Sequence, residues 1–231
     1  MTGKTSQRVS GRSAACAWPA LLLVACGATA EEQGSGALAD AGCGPQARYA
    51  SSVSDYAFGL GQDVGRDRFP ELVFGPPKGA GCCQGSTTDV VSLGNGGSVT
   101  LGFDAAIVDL AGPDFIVFEN AFWVNGDSTQ VFAELATVSV SADGAEFVEF
   151  PCTAVAPPYG SCAGWHPVYA NPDGNDIDPL DPGTAGGDAF DLAEVGLSTA
   201  RFVRIVDRVD LTGTNGVFDL DAVGIVHAAC P

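Results

Sequence analysis

The chain is written in short apolar runs of period two, cut at close intervals by glycine, asparagine, aspartate and proline. Val99, Leu101 and Phe103 alternate with Ser98, Thr100 and Gly102, and Ala136, Val138 and Val140 alternate with Thr137, Ser139 and Ser141. Successive side chains on a strand point to opposite faces, so each run reads as a strand with one face toward a core. Residues 115–118 (Phe-Ile-Val-Phe) form an uninterrupted run of the buried type, and 201–206 and 217–226 add two more strands. Segments 89–93 and 147–150 carry fainter strand signals. Turn clusters fall between the runs at 94–97, 112–114, 142–144 and 213–216. No long stretch holds a helical period; residues 190–195 fit a single turn. These features predict an all-β protein, an antiparallel β-sandwich with long Asp/Gly-rich loops.

The first 25 residues contain Lys4, Arg8 and Arg12 and no acid, followed by a mostly apolar stretch from Ala14 to Ala25. That stretch is too short to span a bilayer, which needs about 20 apolar residues, and its layout is that of a secretory leader. Leu23-Val24-Ala25-Cys26 looks like a bacterial lipobox with Cys26 as the lipidated residue. The expectation is an exported protein, lipid-anchored to the bacterial cell envelope, that meets the membrane only through its anchor. Residues 26–47 are small, acidic and polar and read as a flexible tether, and 48–231 as one sandwich domain with a sizeable core. Removing the leader takes away three positive charges and no negative one, so the net charge of −18 becomes −21. Such a surface repels nucleic acid, which is bound through basic patches.

Besides Cys26, the expected mature chain holds Cys43, Cys82, Cys83, Cys152, Cys162 and Cys230. An even number in an exported protein points to disulfides. Cys152 and Cys162 are the pair expected from proximity. The adjacent Cys82 and Cys83 are expected to bond outward, one to Cys43 and the other to Cys230. With no Cys-x-x-Cys pair, and only His166 and His227 to join, zinc is disfavoured.

Ten aspartates lie between Asn171 and Asp221, most of them in three runs. Carboxylates this dense repel one another unless neutralised, and a hard cation with oxygen ligands, calcium above all, does that. Asp219 and Asp221 stand at i and i+2 of a strand and should share a face. Gly186-Gly187 lets the backbone approach closely, with Asp188 and Asp191 within reach of one ion; alternatively Asp188 caps a turn containing Glu194. Asn171, Asp173 and Asn175 have one-three-five spacing, but Gly174 and Pro182 depart from an EF-hand. That loop reads equally as a set of Asx turns. Glu119 ends the buried 115–118 run and is either an ion ligand or a partner for Arg201 or Arg204.

Four stretches carry a family resemblance: 91–103, 112–122, 186–195 and 218–223. They resemble a group of bacterial cell-surface proteins, secreted or anchored, with jelly-roll domains similar to galactose-binding-like and carbohydrate-binding modules. The resemblance implies a galactose-binding-like jelly roll over roughly Asp89 to Val226. It also implies a structural calcium near the last strand, where Asp219 and Asp221 match in kind.

A sugar site needs exposed aromatic faces beside polar groups. Tyr159, Trp165, His166 and Tyr169 cluster around the Cys152/Cys162 loop, and Trp123 follows Glu119-Asn120; loop aromatics also pack their own loops. The expected function is therefore a calcium-stabilised surface module that binds carbohydrate or a cell-surface protein. The alternatives are a carboxylate-dependent hydrolase of surface polysaccharide and a purely structural envelope lipoprotein. No G-x-S-x-G or H-E-x-x-H motif is present.

Overall fold

A computed structural model of the chain describes residues 42–83, 88–209 and 216–231. The expected leader, Cys26, the tether as far as residue 41 and most of the 213–216 turn lie outside the described residues. Among the described residues twelve strands are formed: β1 (Ser52–Ala57), β2 (Val91–Ser92), β3 (Ser98–Val108), β4 (Phe115–Glu119), β5 (Phe122–Trp123), β6 (Val131–Phe132), β7 (Ala136–Ser141), β8 (Val148–Glu149), β9 (Asp188–Phe190), β10 (Thr199–Asp207), β11 (Asp219–Ile225) and β12 (Ala228–Ala229). The helical elements among the described residues are single 3-10 turns of three or four residues.

One sheet runs β1-β3-β10-β7-β8, with β12 also paired to β3; the other runs β2-β11-β4-β9. All of these pairings are antiparallel. Strands late in the chain alternate between the sheets, with β9 and β11 in the smaller and β10 and β12 in the larger, so each connection crosses the sandwich. The period-two runs do what their spacing dictates. Val99, Leu101, Phe103, Ala105 and Ile107 of β3, with Val138, Val140, Val203 and Ile205, face Phe115, Val117, Phe190, Leu220, Val223 and Ile225 in one buried core. Phe115 and Phe190 stack at 5.1 Å, and Phe150 meets both edge-on at 5.9 and 4.9 Å. Each fully buried ring contributes about 1.5–3 kcal/mol, and each aromatic pair about 0.5–1.5 kcal/mol beyond that.

The uninterrupted run in β4 has its own cause. Phe115 and Val117 enter the main core, while Ile116 and Phe118 are covered on the opposite face by Val168, Ala170 and Ala185. A strand dry on both faces carries apolar residues at every position. The covering loop approaches closely because Gly186 and Gly187 both have positive φ, 77° and 73°. Gly187 donates to the Pro167 carbonyl at 3.2 Å. The close approach foreseen at this pair is therefore to backbone and to the β4 side chains.

The cysteines pair as Cys43 with Cys230, Cys82 with Cys83, and Cys152 with Cys162. The third is the pair expected; the outward bonding of Cys82 and Cys83 is overturned. Cys43 and Cys230 lie with Cα atoms 5.4 Å apart, already within bridging distance, and satisfy each other. Cys82 and Cys83 lie elsewhere, against β5, where the Cys82 carbonyl accepts from the Trp123 amide at 2.7 Å. The bond from Cys43 to the penultimate residue, and the 3-10 turn Pro45–Arg48 packed beside β3, make the end of the expected tether part of the sandwich.

Gly186→Ala forces a Cβ into the Pro167 carbonyl and the Tyr169 backbone at left-handed φ. The expected loss is about 2–4 kcal/mol, read as a lower midpoint in urea unfolding. An unchanged midpoint would mean that this loop does not seal the outer face of β4.

Candidate functional site

The three aspartate runs fold into three different environments. In the first, side-chain oxygens turn back on their own backbone. Asn171 accepts from the Asp173 amide at 3.1 Å, Asn175 from Ile177 at 3.1 Å, Asp178 from Leu180 at 2.9 Å and Asp181 from Gly183 at 2.9 Å. Asp173 is exposed and lies 3.2 Å from the Lys78 ammonium. Of the two readings of this loop, the geometry is that of Asx turns. Asn171 and Asn175 turn their side-chain oxygens to backbone amides, and Asp173 pairs with Lys78.

In the second run, Asp188 is buried and has three hydrogen-bond partners. It accepts from the Gly164 amide at 2.7 Å, the Trp165 amide at 3.2 Å and His166 Nδ1 at 2.7 Å. It lies on β9 and does not cap a turn; that role falls to Asp191, which accepts from the Ala193 amide at 2.9 Å at the start of the 3-10 turn Leu192–Val195. Asp191 also joins Asp109 and Asp114 in an acidic triad whose oxygens lie within 4.8 Å of one another, a group that could hold a metal ion. Asp114 was not anticipated. It is fully buried and accepts from the Leu110 amide at 3.0 Å, the Leu192 amide at 2.8 Å and His227 Nδ1 at 2.8 Å.

In the third run, the expected shared face of Asp219 and Asp221 is broken by a register shift between Leu220 and Ala222. A bulge inserts one extra residue and re-aims the side chains around it. Asp221 accepts from the Lys78 amide at 2.8 Å, and burial pushes its carboxyl up to about 7. Asp219 instead meets Asn120 Nδ2 at 3.2 Å and has one oxygen left over, buried and without a partner. Burial raises its pKa, with the neighbouring Ser92 and Asn120 holding it down in part.

Glu119 is 1% exposed, and neither of its carboxylate oxygens has a hydrogen-bond partner. Arg201 and Arg204, its expected alternatives to an ion, are engaged elsewhere. Arg201 donates to the Asp104 carbonyl at 2.9 Å; Arg204 donates to Thr100 Oγ1 at 3.1 Å and lies over the Phe147 ring at 3.8 Å. Burial pushes the Glu119 carboxyl well above the usual carboxylate range, and the charges of Glu134, Asp219 and Asp188 push it further. The Asn120 amide offsets part of this from outside hydrogen-bonding geometry. Glu134 is pushed up to about 8 by burial, then by Asp219 and Asp207. Sequence reasoning passed over Glu134, although a lone acid just before the buried Leu135 and Ala136 is the same signal that marked Glu119. A cavity of about 10 Å³ lies beside this group, lined by Glu119, Asn120, Asp221 and residues 79–81. It has room for about one water or ion.

The aromatic residues form a second locus. Two open clefts of about 350 and 320 Å³ share Trp123 and His166 as lining. Trp165, with Ser128 and Thr129, lines the first; Tyr169, with Thr184, lines the second. Trp123 meets Tyr169 edge-on at 6.4 Å, and the Trp165 and His166 rings lie 3.7 Å apart. The rings are fixed from behind. Trp165 Nε1 donates to the Cys162 carbonyl at 3.0 Å, and the buried Asp188 holds His166. Tyr159, expected in the ligand site, is 8% exposed and belongs to the small core around Cys152 and Cys162. It supports Trp165 edge-on at 5.9 Å and presents no face to a ligand.

No family model matches the chain. No curated protein matches it either. Among solved structures, one described as a glycoside hydrolase is similar at 13% identity, over 60% of this chain and 22% of that one, with a TM-score of 0.29. Another, described as CpGH89CBM32-6 produced by Clostridium perfringens, is similar at 14% identity over 59% and 72%, with a TM-score of 0.25. The chain thus spans about a fifth of the length of the first. At these TM-scores neither likeness carries an argument, and the sandwich rests on its own strand ladders.

The raised carboxyls fix a direction for pH dependence. A carboxyl whose pKa is higher in the folded state stabilises the fold fully below its unfolded value, here 4.5 for Glu134, and that stability is lost as pH rises toward about 8. Asp127, Asp143 and Asp181, lowered by hydrogen bonds, act in the opposite sense but below 3.8. In EDTA the Tm should therefore fall between pH 5 and pH 8. A Tm that is flat or rises across that window contradicts the buried-acid assignment.

Proposed function

We propose that the protein is a carbohydrate-binding module of a bacterial cell surface, stabilised by calcium and displayed through a lipid on Cys26. The observation that carries this reading is the placement of Trp123 between two clefts, each with a second aromatic side chain on its wall. Ring faces stack on the apolar face of a pyranose, while hydroxyl and imidazole groups pair with sugar hydroxyls. Ser128, Thr129, Thr184 and His166 supply such groups along the same walls. Clefts of a few hundred Å³ suit one or two sugar residues each. Two clefts meeting at one tryptophan suit a chain of sugars that crosses it. Calcium enters because the carboxylate oxygens on offer are hard ligands, and the expected export would place them in a calcium-containing medium.

A glycan array probed in calcium buffer, followed by titration calorimetry on the hits, tests the reading. Trp123→Ala should weaken binding about tenfold, equivalent to about 1.4 kcal/mol, with the Tm nearly unchanged. Tyr159→Phe should leave affinity within twofold. No glycan binding by the native protein would shift the reading to adhesion through protein. Release of reducing sugar, abolished by a single Asp or Glu substitution, would make it a hydrolase.

A further inference from the structure

All four buried side-chain polar atoms without a partner, among the described residues, lie at one level of the smaller sheet. They are Ser92 Oγ, Asp219 Oδ1 and both oxygens of Glu119; the Ser92 hydroxyl lies close enough to Asp219 to lower its pKa, but outside hydrogen-bonding geometry. Ser92 on β2 stands opposite Asp219 on β11, and the next residue, Leu220, stands opposite Glu119 on β4. Native proteins satisfy nearly all such atoms, so four orphans on three adjacent strands call for a common partner. Each orphan is an oxygen, and three of the four belong to carboxylates. The charged groups acting most strongly on Glu119, Glu134 and Asp219 are themselves acids, Asp63, Asp188 and Asp207 among them. Among the described residues, no positive charge figures in the main influences on these three acids.

We propose that Glu119, Asp219 and Glu134, with the Ser92 hydroxyl, form the site of one hard divalent cation of the calcium class. The proposal rests on the calcium part of the reading above and gives it a place. It favours this group over the Asp109/Asp114/Asp191 triad for a physical reason. The triad is the tighter cluster, but its buried member already accepts three hydrogen bonds and Asp191 caps a turn. Glu119 has neither kind of partner. The oxygens of Glu119, Glu134 and Asp219 are not all within the 4.8 Å that defines the triad. The ion therefore takes Glu119 directly and reaches the others by side-chain rotation or through water. Calcium tolerates this, since it accepts six to eight oxygens in flexible geometry and keeps water among them. The neighbouring cavity of about 10 Å³, lined by Glu119, Asn120 and Asp221 but by none of the other three residues, has room for one water of the ion's own shell beside Glu119.

The test uses the purified full chain, with calcium alone as the probe and no glycan. Equilibrium dialysis should find one tightly held calcium, and saturating calcium should raise the Tm over that in EDTA by about 5–10 °C. Glu119→Gln keeps the shape and removes the charge; it should weaken calcium binding at least tenfold and abolish the rise. Asp219→Asn should weaken binding in the same direction, which keeps the test decisive if the Glu119 variant folds poorly. Asp191→Asn, at the triad, should leave both readouts unchanged. The proposal is overturned if native protein shows no rise and Glu119→Gln melts at or above native in EDTA, for Glu119 is then a neutral buried acid. It is equally overturned if the rise survives Glu119→Gln and Asp219→Asn but is lost in Asp191→Asn. Neither result depends on whether sugars bind.

Discussion

The pairing of β4 with β11 is the constraint on which the rest of the structure depends. These two strands form the centre of the smaller sheet. Their inner faces supply Phe115, Val117, Leu220, Val223 and Ile225 to the main core, while Ile116, Phe118 and Ala222 are sealed outside by the 167–187 loop. A pair of strands dry on both faces excludes water along its whole length, including its polar end. Glu119, the last residue of β4, is carried into that dry region by the ladder itself. The bulge beside Leu220 then separates Asp221, which finds the Lys78 amide, from Asp219, which keeps an oxygen unpaired. The acidity concentrated here follows from the strand geometry and would be costly to bury without compensation.

The same geometry links the acidic end of the sandwich to the aromatic clefts. Asp188, opposite Val117 in the β4–β9 ladder, is one of the charges that raise Glu119. It also accepts hydrogen bonds from Gly164, Trp165 and His166, and so fixes the turn that presents an indole and an imidazole to solvent. Trp123, two residues beyond the Ala121 that follows β4 and Asn120, is held by β6 and by the Cys82 carbonyl. The aromatic clefts are thus carried on short loops anchored directly to the buried sheet. Rigid placement of aromatic side chains lowers the entropy lost when a ligand is stacked on them.

Much of the sandwich was legible because a strand with one buried face must alternate. β3 and β7 were read from that alternation, β10 and β11 from their apolar runs, and β4 from its uninterrupted run. The bond between Cys152 and Cys162 was legible from separation alone. Other features depend on contacts distant in sequence. Cys43 meets Cys230 across 187 residues, which leaves Cys82 to bond its neighbour Cys83. No local pattern announces that Asp114, in what reads as a plain Gly-Pro-Asp turn, will be fully buried and serve Leu110, Leu192 and His227. A single bulge re-aimed Asp221, and period-two reasoning has no means to place a bulge. The aspartate-rich 171–181 loop was the loudest signal in composition and turned out to be backbone capping. Glu119, one acid behind four apolar residues, was quieter and fell where the unpaired oxygens are.

The central claim, that the buried carboxylates at the end of β4 and β11 are neutralised by a bound cation, is tested most directly by crystals soaked in a lanthanide that substitutes for calcium. Anomalous difference maps should show a strong peak within about 2.3–2.6 Å of a Glu119 oxygen, with Asp219 or Glu134 drawn toward it. Peaks confined to the surface, at Asp109 and Asp191 for instance, with none beside Glu119, would contradict the account.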